Sequence, residues 1–144
     1  MRYLAMLILA GFCLPALAGA NALAKAPPLK LNNKEAQRLA ALAQPGTNKS
    51  NLNDVMTYLD YNKDANVAGE PPFFEFEGLS DTSNYEFFAV NPWTGDVWAL
   101  WGCKRMMTRG LHKAQVEIRH RFTPEERAQY PKLHRLRPVC ISGD

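Results

Sequence analysis

Apolar residues recur at helical spacing in the segment that follows residue 31. One stripe consists of Ala36, Leu39, Ala40 and Ala43, and a second consists of Leu52, Val55, Met56 and Leu59. Asn32 precedes the first stripe and Glu35 lies three residues later, a pair that is typical of a capping box at a helix N-terminus. The pattern predicts two helices, the first ending before Pro45 and the second before a polar loop over residues 60–72.

The period changes from about 3.6 to 2 after Pro72. FFEFEG (73–78) alternates like a strand, YEFFAV (85–90) predicts a second strand, and residues 96–101 predict a third. The last two strands are joined by a turn around Thr94 and Gly95, where we expect Gly95 to adopt a positive φ. Because the strands are close in sequence and rich in aromatic and β-branched residues, an antiparallel meander is the expected arrangement.

Residues 109–122 fit two different patterns. VEIRHRF alternates like a strand, whereas Leu111, Ala114, Ile118 and Phe122 have the spacing of one face of a helix. Most residues of this segment are helix formers, so a helix over 109–121 is favoured. Thr123 and Pro124 then mark the start of a short helix that Pro131 should end.

The amino-terminal segment has the features of a secretory signal. Arg2 precedes an apolar run over residues 4–14, and the small residues of 18–20 match a signal peptidase site. The run is shorter than the roughly 20 residues that a spanning helix needs. We therefore expect cleavage near Ala20, a flexible lead over 21–31, and one domain over 32–144 that is periplasmic or secreted and not an integral membrane protein.

Cleavage would also remove Cys13 and leave two cysteines, Cys103 and Cys140. An even cysteine count in an exported protein indicates a disulfide. The predicted fold class is therefore α+β: an antiparallel sheet of three to four strands packed against helices and closed by one C-terminal disulfide.

Both faces of the third strand are apolar, which is unusual for a sheet with one solvated face. Val97, Ala99 and Trp101 alternate with Trp98 and Leu100. Two interpretations stay open: the C-terminal helix and tail cover the second face, or the hairpin presents a binding patch that includes Trp93 or Trp98.

The charge is divided unevenly between the two halves of the chain. Residues 21–99 carry six Lys/Arg and ten Asp/Glu, a formal charge of −4, and residues 100–144 carry ten and four, a charge of +6. Arg105, Arg109 and Lys113 are spaced four residues apart, as on one helical face. This half is expected to bind an acidic protein or another anionic partner of the cell envelope, unless its charge is only a solvated surface. The expected compartment argues against nucleic acid.

The order of elements resembles the PepSY domain over residues 33–101. The matching residues are Glu35-Ala36 at the helix start, the strand from Tyr85 to Asn91, and the turn Thr94-Gly95-Asp96-Val97. The chain departs from that pattern in the predicted helix at 50–60 and in the basic extension after Cys103. The resemblance implies an inhibitory or binding module near proteases and the envelope, and transfers no active-site residue. A cystatin-like arrangement is the neighbouring possibility.

Candidate chemistry is sparse. Residues 60–71 place oxygen ligands at alternate positions like a calcium loop, but Ala65 and Pro71 stand where such a loop needs glycine and glutamate. The histidines lie in basic neighbourhoods without an orienting carboxylate nearby in sequence. We therefore expect no cofactor, no metal and no catalysis. The predicted function is an exported binding or inhibitory module, with a toxin-neutralising immunity protein or an accessory subunit of an envelope enzyme as the alternative.

Overall fold

A computed structural model describes residues 26–44, 56–59, 73–79 and 85–141. Helix α1 spans Asn33–Ala43 and begins with the predicted capping box, in which the Asn32 side chain accepts a hydrogen bond from Glu35 N and the Glu35 carboxylate accepts one from Asn32 N. The strands are β1 (Met56–Leu59), β2 (Phe74–Leu79), β3 (Tyr85–Val90), β4 (Val97–Ala99) and β5 (Lys104–Arg105). Helices α2 (Arg109–His120), α3 (Pro124–Arg127) and α4 (Tyr130–Leu133) follow.

The strands form one antiparallel sheet in the order β1-β2-β3-β4-β5, so each strand pairs with its neighbour in sequence. One face of the sheet packs against α1, and α2 packs against α1 and adds Leu111 and Ile118 to the same core. The buried side chains on that face include Phe74, Phe76, Phe88, Val90 and Val97. The predicted α+β class and antiparallel meander are confirmed, with the two-residue β5 as an additional short strand at the edge.

A second apolar cluster lies on the opposite face of the sheet. It consists of Phe73, Ala89, Trp98 and Leu100, and Leu136 and Ile141 of the C-terminal tail pack against it. Ile141 N donates to Leu100 O at 3.2 Å, and Trp101 and Ile141 form a parallel bridge. The predicted disulfide between Cys103 and Cys140 is present beside this contact. The tail therefore covers the second face of the sheet. This agrees with the interpretation that the apolar side chains on both faces of the third strand are structural.

Two predictions about elements are wrong. Residues 56–59 form β1 rather than the end of a helix, because pairing with β2 satisfies their backbone and outweighs the helical spacing of their apolar residues. Pro131 does not stop helical structure, because it lies in the first turn of α4, where its missing N–H is not needed.

The second half of the expected lead is attached to the domain. Trp93 Nε1 donates a hydrogen bond to Pro27 O at 2.8 Å, and Leu31 N donates one to Pro92 O at 3.1 Å. Leu31 is also buried in the main core. Residues 26–31 therefore belong to the folded unit rather than to a flexible segment in front of it.

The helix predicted over 109–121 is confirmed as α2, whose N-cap Thr108 accepts a hydrogen bond from Leu111 N. Leu111 and Ile118 are its buried residues, which agrees with the apolar spacing seen in the sequence. The calcium-like loop of residues 60–71 lies outside the described residues.

Candidate functional site

The turn between β3 and β4 is polar and fully buried. Asn91 Oδ1 accepts hydrogen bonds from Trp93 N at 3.0 Å and from Thr94 N at 3.1 Å. Asn91 Nδ2 donates to Leu133 O at 2.8 Å, which ties the turn to the end of α4. An asparagine that bonds the backbone two or three residues ahead is a common way to build a turn, and here it also satisfies amides that would otherwise be buried without partners.

Gly95 closes this turn with φ 72°, which confirms the predicted positive φ. The space around it is also limited. A Cβ atom at Gly95 would lie 2.6 Å from Ile118 Cδ1 and 3.1 Å from Leu39 Cδ1. The turn therefore needs glycine both for its backbone conformation and for the close approach of α1 and α2.

The carboxylate of Asp96 is 1% exposed and connects the turn to three other elements. Oδ2 accepts a hydrogen bond from Thr94 Oγ1 at 2.7 Å and lies 2.8 Å from His134 Nδ1. Oδ1 accepts from Gln115 Nε2 at 3.3 Å and from the guanidinium of Arg105. A buried carboxylate needs such partners, because an unpaired charge in the interior is costly. We call Asp96, Arg105, Gln115 and His134 the Asp96 network.

The network corrects the expectation that the histidines lack an orienting carboxylate, because His134 is paired with Asp96, which is distant in sequence. A carboxylate–imidazole pair beside a groove is an arrangement that general-base catalysis uses. Arg105 Nη2 lies 3.1 Å from Nδ1 and 3.0 Å from Nε2 of His134, so one guanidinium nitrogen is close to both ring nitrogens. The pairing of His134 with Asp96 connects the end of α4 to the turn.

Tyr130 stacks on the His134 ring with 5.7 Å between the ring centroids. Burial raises the pKa of the Tyr130 phenol above its ordinary value, the Asp96 carboxylate raises it further, and Arg119 and Arg105 oppose the shift. Tyr130 is therefore a neutral phenol near pH 7. The guanidinium of Arg119 lies over its ring, 5.0 Å from the centroid.

An open groove of about 440 Å³ runs between α2 and α4 beside the Asp96 network. Its walls include Met107, His112, Val116 and Arg119 on one side and Tyr130 and His134 on the other. We call it the α2–α4 groove. Basic, aromatic and exposed apolar side chains all line this groove.

Along its solvent side, α2 is mostly basic, and its one exposed acidic residue, Glu117, lies at the edge of this side next to Lys113. At 100° per residue, this outer face consists of Arg109, His112, Lys113, Val116, Arg119 and His120, all of them exposed. None of the four ion pairs found among the described residues involves a member of this face. We call these six residues the α2 outer face.

The residues proposed from the sequence are distributed differently from the prediction. Arg109 and Lys113 lie on the α2 outer face, as expected. Arg105 does not share a helical face with them, because it lies in β5, where it pairs with Asp96.

Trp93 and Trp98 are buried and do not form an exposed binding patch. Trp93 belongs to the main core and Trp98 to the second cluster, where the Arg137 guanidinium lies 5.7 Å from the centroid of the Trp98 ring. The exposed tryptophan is Trp101, at 45%, because β4 ends at Ala99 and the chain turns before it.

Sequence reasoning missed Met107, Val116 and Tyr130, and it included Arg119 only as one cation of the basic half of the chain. A helical wheel of residues 109–120 contains the signal for Val116 and Arg119, because both fall on the same side as Arg109 and Lys113. Nothing in the sequence brings Tyr130 beside Arg119, since that contact depends on how α4 packs.

Within residues 26–44, 56–59, 73–79 and 85–141, no group of three or more His, Cys, Asp or Glu residues is placed to hold a metal ion. In the same ranges, no helix combines the length and apolar character needed to cross a bilayer. Compared with known proteins, the chain matches no protein family, no curated protein and no solved structure.

Proposed function

We propose that this protein is an exported, non-catalytic binding or inhibitory module that holds an acidic protein partner against the α2 outer face. The observation that carries the proposal is the composition of that face: cations and histidines surround one exposed valine, and none of them forms an ion pair with the described residues. Glu117, at the edge of the face, is the one acidic residue of α2. The formal charge of +6 over residues 100–144 extends the same positive field around it.

The positions of the charges on α2 support a binding role. Arg109 and His112 lie in or next to the first turn of the helix, which contains no acidic residue. Positive charge at this end opposes the helix dipole, and Arg109 and Lys113 also repel each other across one turn. These arrangements each cost a few tenths of a kcal/mol in a free helix, and an acidic partner would relieve all of them.

The alternative proposal is a toxin-neutralising immunity protein or an accessory subunit of an envelope enzyme. Both would use the same surface, but they would hold one partner tightly and in a fixed ratio. In either case we place the protein in the periplasm or outside the cell, on the basis of the amino-terminal signal and the Cys103–Cys140 disulfide.

The test is a variant in which Arg109→Glu and Lys113→Glu reverse two charges of the α2 outer face. The matched control is the variant Lys132→Glu and Arg135→Glu. It changes the net charge by the same amount, at exposed positions of α4 and of the segment after it. The tagged mature protein is used to isolate partners from the exported fraction of the producing cells. Association with the isolated partner is then followed at several salt concentrations.

We expect the Arg109/Lys113 variant to associate at least about tenfold more slowly and with a weaker salt dependence, because steering by complementary charge is lost. The Lys132/Arg135 variant should change much less. Equal behaviour of the two variants would mean that the charge of α2 serves only solubility.

A further inference from the structure

We propose that the α2–α4 groove is the specific contact within this surface, and that it receives an apolar side chain of the partner flanked by carboxylates. This inference rests on the proposed function and names the chemistry of the partner segment. Met107 and Val116 would hold the apolar side chain, and His112 and Arg119 would bind the carboxylates on either side of it.

Two large apolar residues are exposed in the same groove. Met107 is 72% exposed, the largest exposure among the large hydrophobic residues described, and Val116 is 44% exposed. Both line the α2–α4 groove. Exposed apolar side chains that are gathered in a concavity and rimmed by polar groups are typical of interaction sites, whereas single scattered ones are not.

Arg119 supplies the groove with an oriented positive charge. Its guanidinium is held over the Tyr130 ring, 5.0 Å from the centroid, and it forms none of the ion pairs of the described residues. A cation that is already oriented loses less conformational freedom on binding a carboxylate than a free one. Arg105, by contrast, is neutralised by Asp96, so it contributes little attraction for a partner.

The Asp96 network keeps the two walls of the groove in place. Gln115 connects Asp96 to α2, and His134 connects it to the end of α4. Because these bonds are made in the free protein, the groove is formed before any partner arrives, as is common for binding sites.

The concave shape favours a protein segment over a lipid surface. A bilayer presents a broad plane to the convex side of a helix, whereas Val116 and Met107 line a groove between two helices. A single side chain on an extended or helical segment fits such a space.

The experiment measures the binding of two labelled peptides to the mature protein by fluorescence anisotropy. The first is a peptide with a central leucine between pairs of glutamates, and the second replaces that leucine with serine. Phosphatidylglycerol vesicles are tested in parallel. The variants are Val116→Ser and Arg119→Gln, and their matched controls outside the groove are Val139→Ser and Arg135→Gln, since Val139 and Arg135 are also exposed.

We expect the leucine peptide to bind more tightly than the serine peptide. Val116→Ser should weaken it by up to about tenfold and Arg119→Gln by about fivefold, from the loss of one apolar contact and one exposed charge pair. The two control variants should stay within about twofold of the unmodified protein.

Other outcomes would overturn the inference. Equal binding of both peptides, with equal losses in Arg119→Gln and Arg135→Gln, would locate recognition in the general basic surface, so the groove would be rejected while the proposed function stood. Binding to vesicles but to neither peptide would reject the protein segment in favour of lipid. Absence of binding to every anionic probe at low salt would reject the groove and also count against the proposed function.

Discussion

The turn of residues 91–96 and the α2 outer face both concentrate polar side chains, but they treat them in opposite ways. In the turn, Asn91, Thr94 and Asp96 are buried and each has hydrogen-bond partners. On the α2 outer face, the charged side chains are exposed and form no ion pair with the described residues. Polar groups of the first kind hold the fold together, and polar groups of the second kind remain available to a partner. The comparison predicts large stability effects in the turn and small ones on the helix.

The largest effect is expected from Asp96→Ala. The change removes a carboxylate that Thr94, Gln115, Arg105 and His134 all contact, and a hydrogen bond to a charged group contributes about 1.5–3 kcal/mol. Because the Arg105 and His134 side chains are 29% and 39% exposed, water replaces part of what they lose, and we expect a net cost of roughly 3–4 kcal/mol. The free energy of unfolding, measured by urea titration, should fall by that amount. Glu117→Ala on the exposed side of α2 is the control and should change it by less than about 0.5 kcal/mol. A small loss at Asp96 would remove the distinction between the two regions.

A smaller effect is expected from Gly95→Ala. The positive φ costs an L-residue roughly 1–2 kcal/mol, and crowding against Ile118 adds about 1 kcal/mol or more. Gly102→Ala separates the two causes, because Gly102 also has a positive φ, of 75°, but a Cβ atom there would meet none of the described residues within 4 Å apart from its chain neighbours. Thermal unfolding should show a larger loss at Gly95 than at Gly102. Equal losses would mean that the approach of α1 and α2 is not tight.

The smallest effect is expected from Arg109→Ala combined with Lys113→Ala. Their side chains form no ion pair with the described residues, and removing positive charge from the start of α2 relieves an unfavourable dipole interaction. Stability should stay within about 0.5 kcal/mol of the unmodified protein or rise slightly. Urea titration at low salt is the measurement. A loss above about 1 kcal/mol would show that this face contributes to the fold and would weaken its assignment to a partner.

Local signals in the sequence were sufficient where a structure depends on neighbouring residues. The capping box of Asn32 and Glu35 and the alternation of Phe73 to Phe76 were predictable on that basis. The pairing of Cys103 with Cys140, which are 37 residues apart, was predictable for another reason, since they are the two cysteines left after the expected cleavage. The prediction for residues 56–59 was wrong because four apolar residues at helical spacing do not reveal an available partner strand. Pairing with β2 decides the outcome there.

The candidate site was harder to predict than the fold for the same reason. Arg109 and Lys113 are visible in the sequence because charge and helical spacing are local properties. The pairing of Asp96 with His134, the position of Arg105 in a two-residue strand, and the contact of Arg119 with Tyr130 arise only when distant elements pack. The burial of Trp98 likewise depends on the tail.

The position of that tail in the chain affects the order in which the protein is completed during synthesis. Leu136 and Ile141 cover the second face of the sheet, and both follow every described strand in the chain. Ribosomes make proteins from the amino terminus, so Phe73 and Trp98 are produced before the residues that shield them. Until those last residues arrive, the second face of the sheet lacks this cover, and apolar surface exposed in an incomplete chain promotes association with other chains.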